Sequence, residues 1–201
     1  MNESNQDVAV AKAIPKQAHF WQQFSARRPG EEGGERRQPS GAHLAALRRG
    51  AGRVAGSVPA MWPLYTELTG STGAITPRLR AEHHALVLYG FHQQSQQRAM
   101  HVPGVSIGAA AGALIATDSY SGAAVGRRFS AAATTDAVDE LAVLLRGLVT
   151  QFRNEGIGID YELLFQHLVS WQYPDSRARV RRRWGGDYFK AHIPQTDPPR
   201  S

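Results

Sequence analysis

Arginine supplies 20 of the 23 basic residues, and it recurs in groups beside apolar anchors. The groups are Leu47-Arg48-Arg49-Gly50 with Arg53, then Arg127-Arg128-Phe129, then Arg177-x-Arg179-x-Arg181-Arg182-Arg183-Trp184. A guanidinium offers a planar fork of donors that matches phosphate oxygens in pairs. Such contacts hold a nucleic-acid backbone without reading its sequence, because phosphates carry no base identity. In the last group Arg177, Arg181, Trp184 and Tyr188 follow helical spacing and share one face. That face has two readings. It either meets nucleic acid, or turns Trp184 and Tyr188 inward beneath arginine stems.

Most of the arginine-to-lysine ratio reads as a genome-wide coding bias toward Arg, Ala and Gly, so distribution is more telling than the total. Residues 27–53 carry seven Arg against three Glu, and 77–133 carry five Arg against two acids. Residues 171–192 carry five Arg and one Lys against two Asp, whereas 134–170 carry two Arg against six acids. Within a net charge of +6, positive charge is therefore clustered, as an anionic polymer partner requires.

Catalytic patterns are missing. The sequence has no Gly-Lys-Ser/Thr phosphate loop and no His-Glu-x-x-His pair. His83 and His84 are adjacent, so on a helix they diverge and cannot both ligate one metal. Asp136, Asp139 and Glu140 suit a helix's positive first turn better than a nuclease metal site. Ser106 and Ser130 stand in no nucleophile-elbow pattern. Neither an enzyme nor a cofactor-binding protein is expected. With no cysteine, disulfides and cysteine-ligated metals are excluded, and a reducing cytoplasm is the expected compartment. The first 15 residues lack a signal-peptide pattern. The longest uncharged stretch, 102–117, is broken by Pro103, Gly104, Gly108 and Gly112, so no membrane span is expected.

The elements that must position the arginines read as helices. Phe20, Trp21 and Phe24 give an aromatic face to a short segment after Pro15. Residues 27–41, dense in Gly, Pro, Glu and Arg, read as a loop. Ser40 caps a helix bearing Leu44 and Leu47 that stops at Gly50. Residues 61–68 supply a turn or two of core. The segment 78–98 is apolar on every side around 85–89 and reads as a central buried helix with a polar tail. Residues 106–117 favour helix over strand. Val138, Leu141, Leu145, Leu148 and Phe152 form one stripe of a helix over 136–153. Asp160 opens another, through Leu163, Leu164, Leu168 and Trp171, and a last helix spans 176–190. The short 156–159 connection predicts antiparallel packing of the 136–153 and 160–171 helices. The fold class is all-α: a compact helical bundle, as one body or as two lobes sharing a core. One domain, 15–192, stands between flexible tails at 1–14 and 193–201.

Several segments occur in an order that resembles the CasB family, the small subunit of the type I-E CRISPR surveillance complex, Cascade. They are Gly104-Val105-Ser106-Ile107-Gly108, Val125-Gly126-Arg127-Arg128-Phe129, and Leu144-Leu145-Arg146-Gly147-Leu148-Val149. Gly156-Ile157-Gly158-Ile159-Asp160-Tyr161-Glu162-Leu163-Leu164, Leu168-Val169-Ser170-Trp171 and Val180-Arg181-Arg182-Arg183-Trp184 follow. The likeness runs from about Leu44 to Phe189. Gly126 and the Glu31-Glu32-Gly33-Gly34-Glu35 loop depart from it. It implies an all-helical, non-catalytic protein, present as two copies in a ribonucleoprotein. It implies contacts with other Cascade subunits, guide RNA, and the target and displaced DNA strands, helping to hold the R-loop open. By this resemblance Arg48, Arg49, Arg53, Arg127, Arg128, Arg146 and Arg181 are nucleic-acid contacts, and Arg182 joins them from the last cluster.

Two other readings stay open. A stand-alone helix-turn-helix regulator would place the 177–183 helix in the major groove. However, this helix lacks the expected preceding turn and the Asn, Gln, Ser or Thr that read base edges. A purely protein-binding scaffold would instead set the arginines against acidic partners.

Overall fold

The computed structural model describes residues 18–25, 38–68 and 73–192. The expected tails at 1–14 and 193–201, and most of the 27–41 loop, lie outside these residues. The described residues form seven α-helices: α1 Gly41–Arg49, α2 Pro77–His92, α3 Ile107–Ile115, α4 Gly122–Thr134, α5 Val138–Asn154, α6 Tyr161–Trp171 and α7 Pro174–His192. Short 3₁₀ turns at Phe20–Phe24 and Pro59–Leu64 complete them, and no strand occurs among the described residues. The fold is all-α.

Local chemistry sets several helix starts. Ser40, Thr76, Ser106 and Asp160 each accept a hydrogen bond from the backbone N–H three residues on, opening α1, α2, α3 and α6. Each such cap is worth about 1 kcal/mol. Pro77, whose missing N–H costs nothing at a helix start, begins α2.

Helix α2 runs through the middle and packs against α1, α5 and α6. It is buried nearly all round, including Ala85, Leu86, Leu88 and Tyr89. The most extensive contact in the molecule joins α3 to α7. Small residues make it possible: a Cβ on Gly108 would collide with the Trp184 carbonyl oxygen, and one on Gly112 would lie 2.8 Å from the Tyr188 oxygen. One contiguous apolar core links these layers.

Three features differ from the sequence expectations. Helix α4 has no counterpart there, although Val125, Phe129 and Ala132 form a short buried stripe on it. Helix α5 starts at Val138, so Asp136 precedes it, and only Asp139 and Glu140 occupy its first turn. Finally, α5 and α6 do not pair as expected. Helix α5 packs on α2 and α4, whereas α6 packs on α2 and α7. The reason is that their connection is hydrogen-bonded elsewhere: Ile159 N–H donates to Met100 O (3.0 Å), Val102 N–H to Ile159 O (2.9 Å), and Asp160 N–H to Val105 O (2.7 Å). This lattice with residues 100–105 carries the chain away from α5 before α6 begins.

Gly108→Ala should destabilise the protein by about 1–3 kcal/mol or more, because α3 or α7 must shift to admit one methyl. Gly147→Ala, at an α5 position with nothing within 4 Å of the added carbon, should stabilise it by about 0.5–1 kcal/mol. Urea denaturation of both variants checks this contrast.

Burial lowers the pKa of three core histidines from the ordinary 6.5: His83 to about 4, His92 to about 3 and His167 to about 4. Above pH 6.5 these rings are neutral whether folded or unfolded, so they add no pH dependence there. Below it the unfolded chain takes up protons that the folded chain refuses. Stability from these groups should therefore fall as pH drops from about 6.5 toward 4, by up to about 1.4 kcal/mol per histidine per pH unit. A urea midpoint that holds or rises between pH 7 and pH 5 would contradict this.

Candidate nucleic-acid interface

Helix α1 buries Leu44 and Leu47, which leaves Arg48 half-buried and Arg49 exposed at its end. The following loop is held from below by a buried pair. The Gly50 carbonyl can only accept, so the His83 Nε2 that contacts it at 3.0 Å carries the proton. His83 is neutral, so its Nδ1 accepts from the Tyr65 hydroxyl at 2.6 Å. Burial pushes that phenol up to about 12 and keeps it protonated as the donor. Tyr65 Oη also accepts from Gly56 N–H at 3.3 Å, so the Tyr65–His83 pair ties both ends of the loop. Gly52, at φ +70, makes the left-handed turn that presents Arg53 to solvent.

Across from Arg53 stands Arg146 on α5, its guanidinium 5.5 Å from the centre of the Phe91 ring. Arg53 and Arg146, 93 positions apart by their numbering, line the same cavity of about 440 Å³. A third arginine, Arg80 on α2, lines it too. The cavity's single carboxylate is Asp139, held 2.7 Å from His84 Nε2 and 3.9 Å from Arg80 Nη1. Val87, Leu88 and Ala142 contribute apolar surface, and the exposed Val54 and Val143 stand at its edge.

The sequence expectations did not include Arg80. A cation so near a helix start opposes the dipole and calls for a partner or a purpose. Arg78, two residues earlier, has its partner in Glu67 at 2.5 Å, whereas among the described residues Arg80 has only the long Asp139 contact.

Arg127 and Arg128 are exposed on α4, away from the Val125–Phe129–Ala132 stripe that buries its other side. Arg182 is exposed on α7. Arg48, Arg49, Arg53, Arg127, Arg128, Arg146 and Arg182 make no ion pair with another described residue.

Arg181 is placed differently. Its Nη2 donates to Thr135 O (2.7 Å), Thr134 O (2.9 Å) and Asp136 Oδ1 (2.9 Å), and its guanidinium lies 5.3 Å from the Trp171 ring centre. It thus satisfies carbonyls at the negative end of α4. Arg177 reinforces the same corner, donating to Asp136 O at 2.7 Å. The Arg177–Arg181–Trp184–Tyr188 face turns inward: Trp184 is buried with its Nε1 donating to His167 Nδ1 at 2.9 Å, and Tyr188 stacks on Phe129 at 4.7 Å.

No group of three or more His, Cys, Asp or Glu able to hold a metal occurs among the described residues. No helix among them is long and apolar enough to cross a membrane.

Comparison with known proteins adds independent findings. The family model for CRISPR-associated protein Cse2 matches residues 43–189. CasB from Thermobifida fusca is similar at 31% identity and a TM-score of 0.61, over 76% of this chain and 84% of that one. CasB from Thermus thermophilus is similar at 24% identity and a TM-score of 0.56, over 74% and 86%. A chain of a CRISPR RNA-guided surveillance complex shares the fold at 21% identity and a TM-score of 0.57, over 76% and 84%. Among curated proteins, none matches.

Arg181→Ala should lower the stability of the isolated chain by about 1–3 kcal/mol, because carbonyls and a carboxylate lose a charged donor. Arg182→Ala should change it by less than about 0.5 kcal/mol. Equal thermal unfolding of the two variants would refute the distinction between them.

Proposed function

The chain belongs to the Cse2 (CasB) family of CRISPR-associated proteins, and from that premise we propose that it is a non-catalytic small subunit of a type I-E RNA-guided surveillance complex. In this reading it grips guide RNA and the target and displaced DNA strands by their phosphates, beside other Cascade subunits and a second copy of itself, in the cytoplasm. It stabilises the R-loop, and guide pairing supplies sequence discrimination.

The observation that carries the reading is the convergence of Arg53, Arg80 and Arg146 on one exposed cavity, set against a single carboxylate. Arg48 and Arg49 precede that loop by a few residues, and Arg127, Arg128 and Arg182 extend the exposed positive surface on α4 and α7. Arg181 leaves the set as an internal clamp. The absence of phosphate-loop and metal-binding motifs from the sequence supports a non-catalytic role. So does the engagement of Asp136 by Arg177 and Arg181, and of Asp139 by His84. A helix-turn-helix reading finds less support, because α7 buries Val180 and Trp184 within the protein core.

The test is DNA binding by the reconstituted complex over a salt series, after assembly of each variant complex is confirmed. Replacing Arg53, Arg80 and Arg146 together with Ala, or Arg127 with Arg128, should weaken binding. The slope of log affinity against log salt should become shallower by roughly one for each phosphate that the variant no longer neutralises. Any one Arg→Ala change should have a small effect, and discrimination between target sequences should not move. Unchanged affinity and slope in complexes that assemble normally would show the arginines to be a solvated surface.

A further inference from the structure

We infer that the cavity between α2, α5 and the loop after α1 receives one unstacked base of a single-stranded nucleic acid, while Arg53, Arg80 and Arg146 hold the adjoining phosphates. This deepens the backbone-gripping reading and rests on it. Phosphate contacts alone need only exposed cations, whereas here the cations surround a concavity. Its volume of about 440 Å³ falls within the roughly 300–1,000 Å³ of small-ligand clefts. It exists because the facing surfaces carry little: Gly50, Ala51, Gly52 and Ala55 on the loop, and Ala142 on α5.

Its walls suit a flat, weakly polar ring. Val87 and Leu88 on α2 provide apolar contact, and guanidinium planes stack on base faces. Val54 is 61% exposed and Val143 59% exposed at the edge, which gives a base apolar surface to cover as it enters. On α5, Asp139, Ala142, Val143 and Arg146 are spaced by three, one and three residues. One helix face therefore runs from carboxylate through apolar surface to guanidinium.

The apolar walls separate a base from the other occupant an apolar basic cleft can take, an acidic protein side chain. A carboxylate would pair with the arginines but leave Val87, Leu88 and Ala142 uncovered. A nucleotide satisfies both, because its neutral base covers the apolar walls while its phosphates stay outside with the guanidinium groups. Bases of a paired duplex are not available to enter, so the ligand is a single strand.

The experiment uses the full-length chain and two fluorescein-labelled single-stranded DNAs of equal length, an oligodeoxycytidylate and one made wholly of abasic residues. Phosphate charge is the same in both. Wild-type protein should bind the base-bearing strand at least about fivefold more tightly, the lower range of what one well-held base contributes. Filling the cavity from either wall, with Ala142→Leu on α5 or Ala51→Leu on the loop, should abolish that preference, so that each variant binds the two strands equally. Replacing Arg53 and Arg146 with Ala should weaken binding of both strands. Equal wild-type affinity for the two strands overturns the inference but not the backbone-gripping reading, and leaves the cavity to a protein side chain. A preference that survives both filling variants overturns it too, by placing base recognition elsewhere. Binding of neither strand would count against both readings. The wild-type comparison needs no variant, so poor folding of a filled protein does not remove the test.

Discussion

Burial of α2 on almost every side is the constraint from which much of the molecule follows. A helix in that position has no solvent to satisfy its polar side chains, and an unpaired buried group costs more than a hydrogen bond returns. Yet α2 and the turn after it carry Glu82, His83, His92 and Gln93, all buried. Each solves the problem by seizing backbone from a neighbouring loop. Glu82 accepts from the N–H groups of Thr66 and Glu67 and from the Thr66 hydroxyl, even though burial pushes its pKa up. His83 takes the Gly50 carbonyl, and His92 the Ile157 carbonyl and the Tyr161 hydroxyl. Gln93 bonds to the Arg98 carbonyl and the Met100 N–H. The polar residues of the central helix thus fasten loops from three regions of the chain to one axis, including the loop that presents Arg53.

Arginine plays two physical parts in this structure, and sequence clustering does not separate them. Arg177 and Arg181 occupy the α4–α5 corner, where a guanidinium fork fits several carbonyl oxygens and one carboxylate. Their charge is largely consumed there. Arg53, Arg127, Arg128 and Arg182 face solvent and have no such commitment among the described residues. The family resemblance grouped Arg181 with the second kind, because adjacency in sequence says nothing about which side of a helix a carbonyl approaches.

Features governed by short-range rules were legible in the sequence. The α5 stripe, the Ser40 and Asp160 caps, the stop at Gly50 and the encircling apolarity of α2 all follow from spacing within one helix. What escaped depends on contacts distant in sequence. Helix α4 carries a stripe of just Val125, Phe129 and Ala132, which gains meaning beside α3 and α5 and against Trp184 and Tyr188 of α7. The divergence of α5 and α6 comes from bonds to residues 100–105, far upstream of their connection. Arg53 and Arg146 were legible as cations, but their shared cavity was not, and Arg80 was hidden at the start of a segment that reads as a central buried helix.

The Thr135 carbonyl accepts from Trp171 Nε1 at 3.1 Å and from Arg181 Nη2 at 2.7 Å, so a single oxygen answers to two different helices. Neither bond survives if its helix swings away, and Trp171 also lies 5.0 Å from the Trp184 ring. Lifting α7 would therefore strip a donor from the α4–α5 corner and bare an indole on α6 in one motion. Local opening at that end has no inexpensive first step, so the corner, α6 and α7 should open to solvent as a single unit.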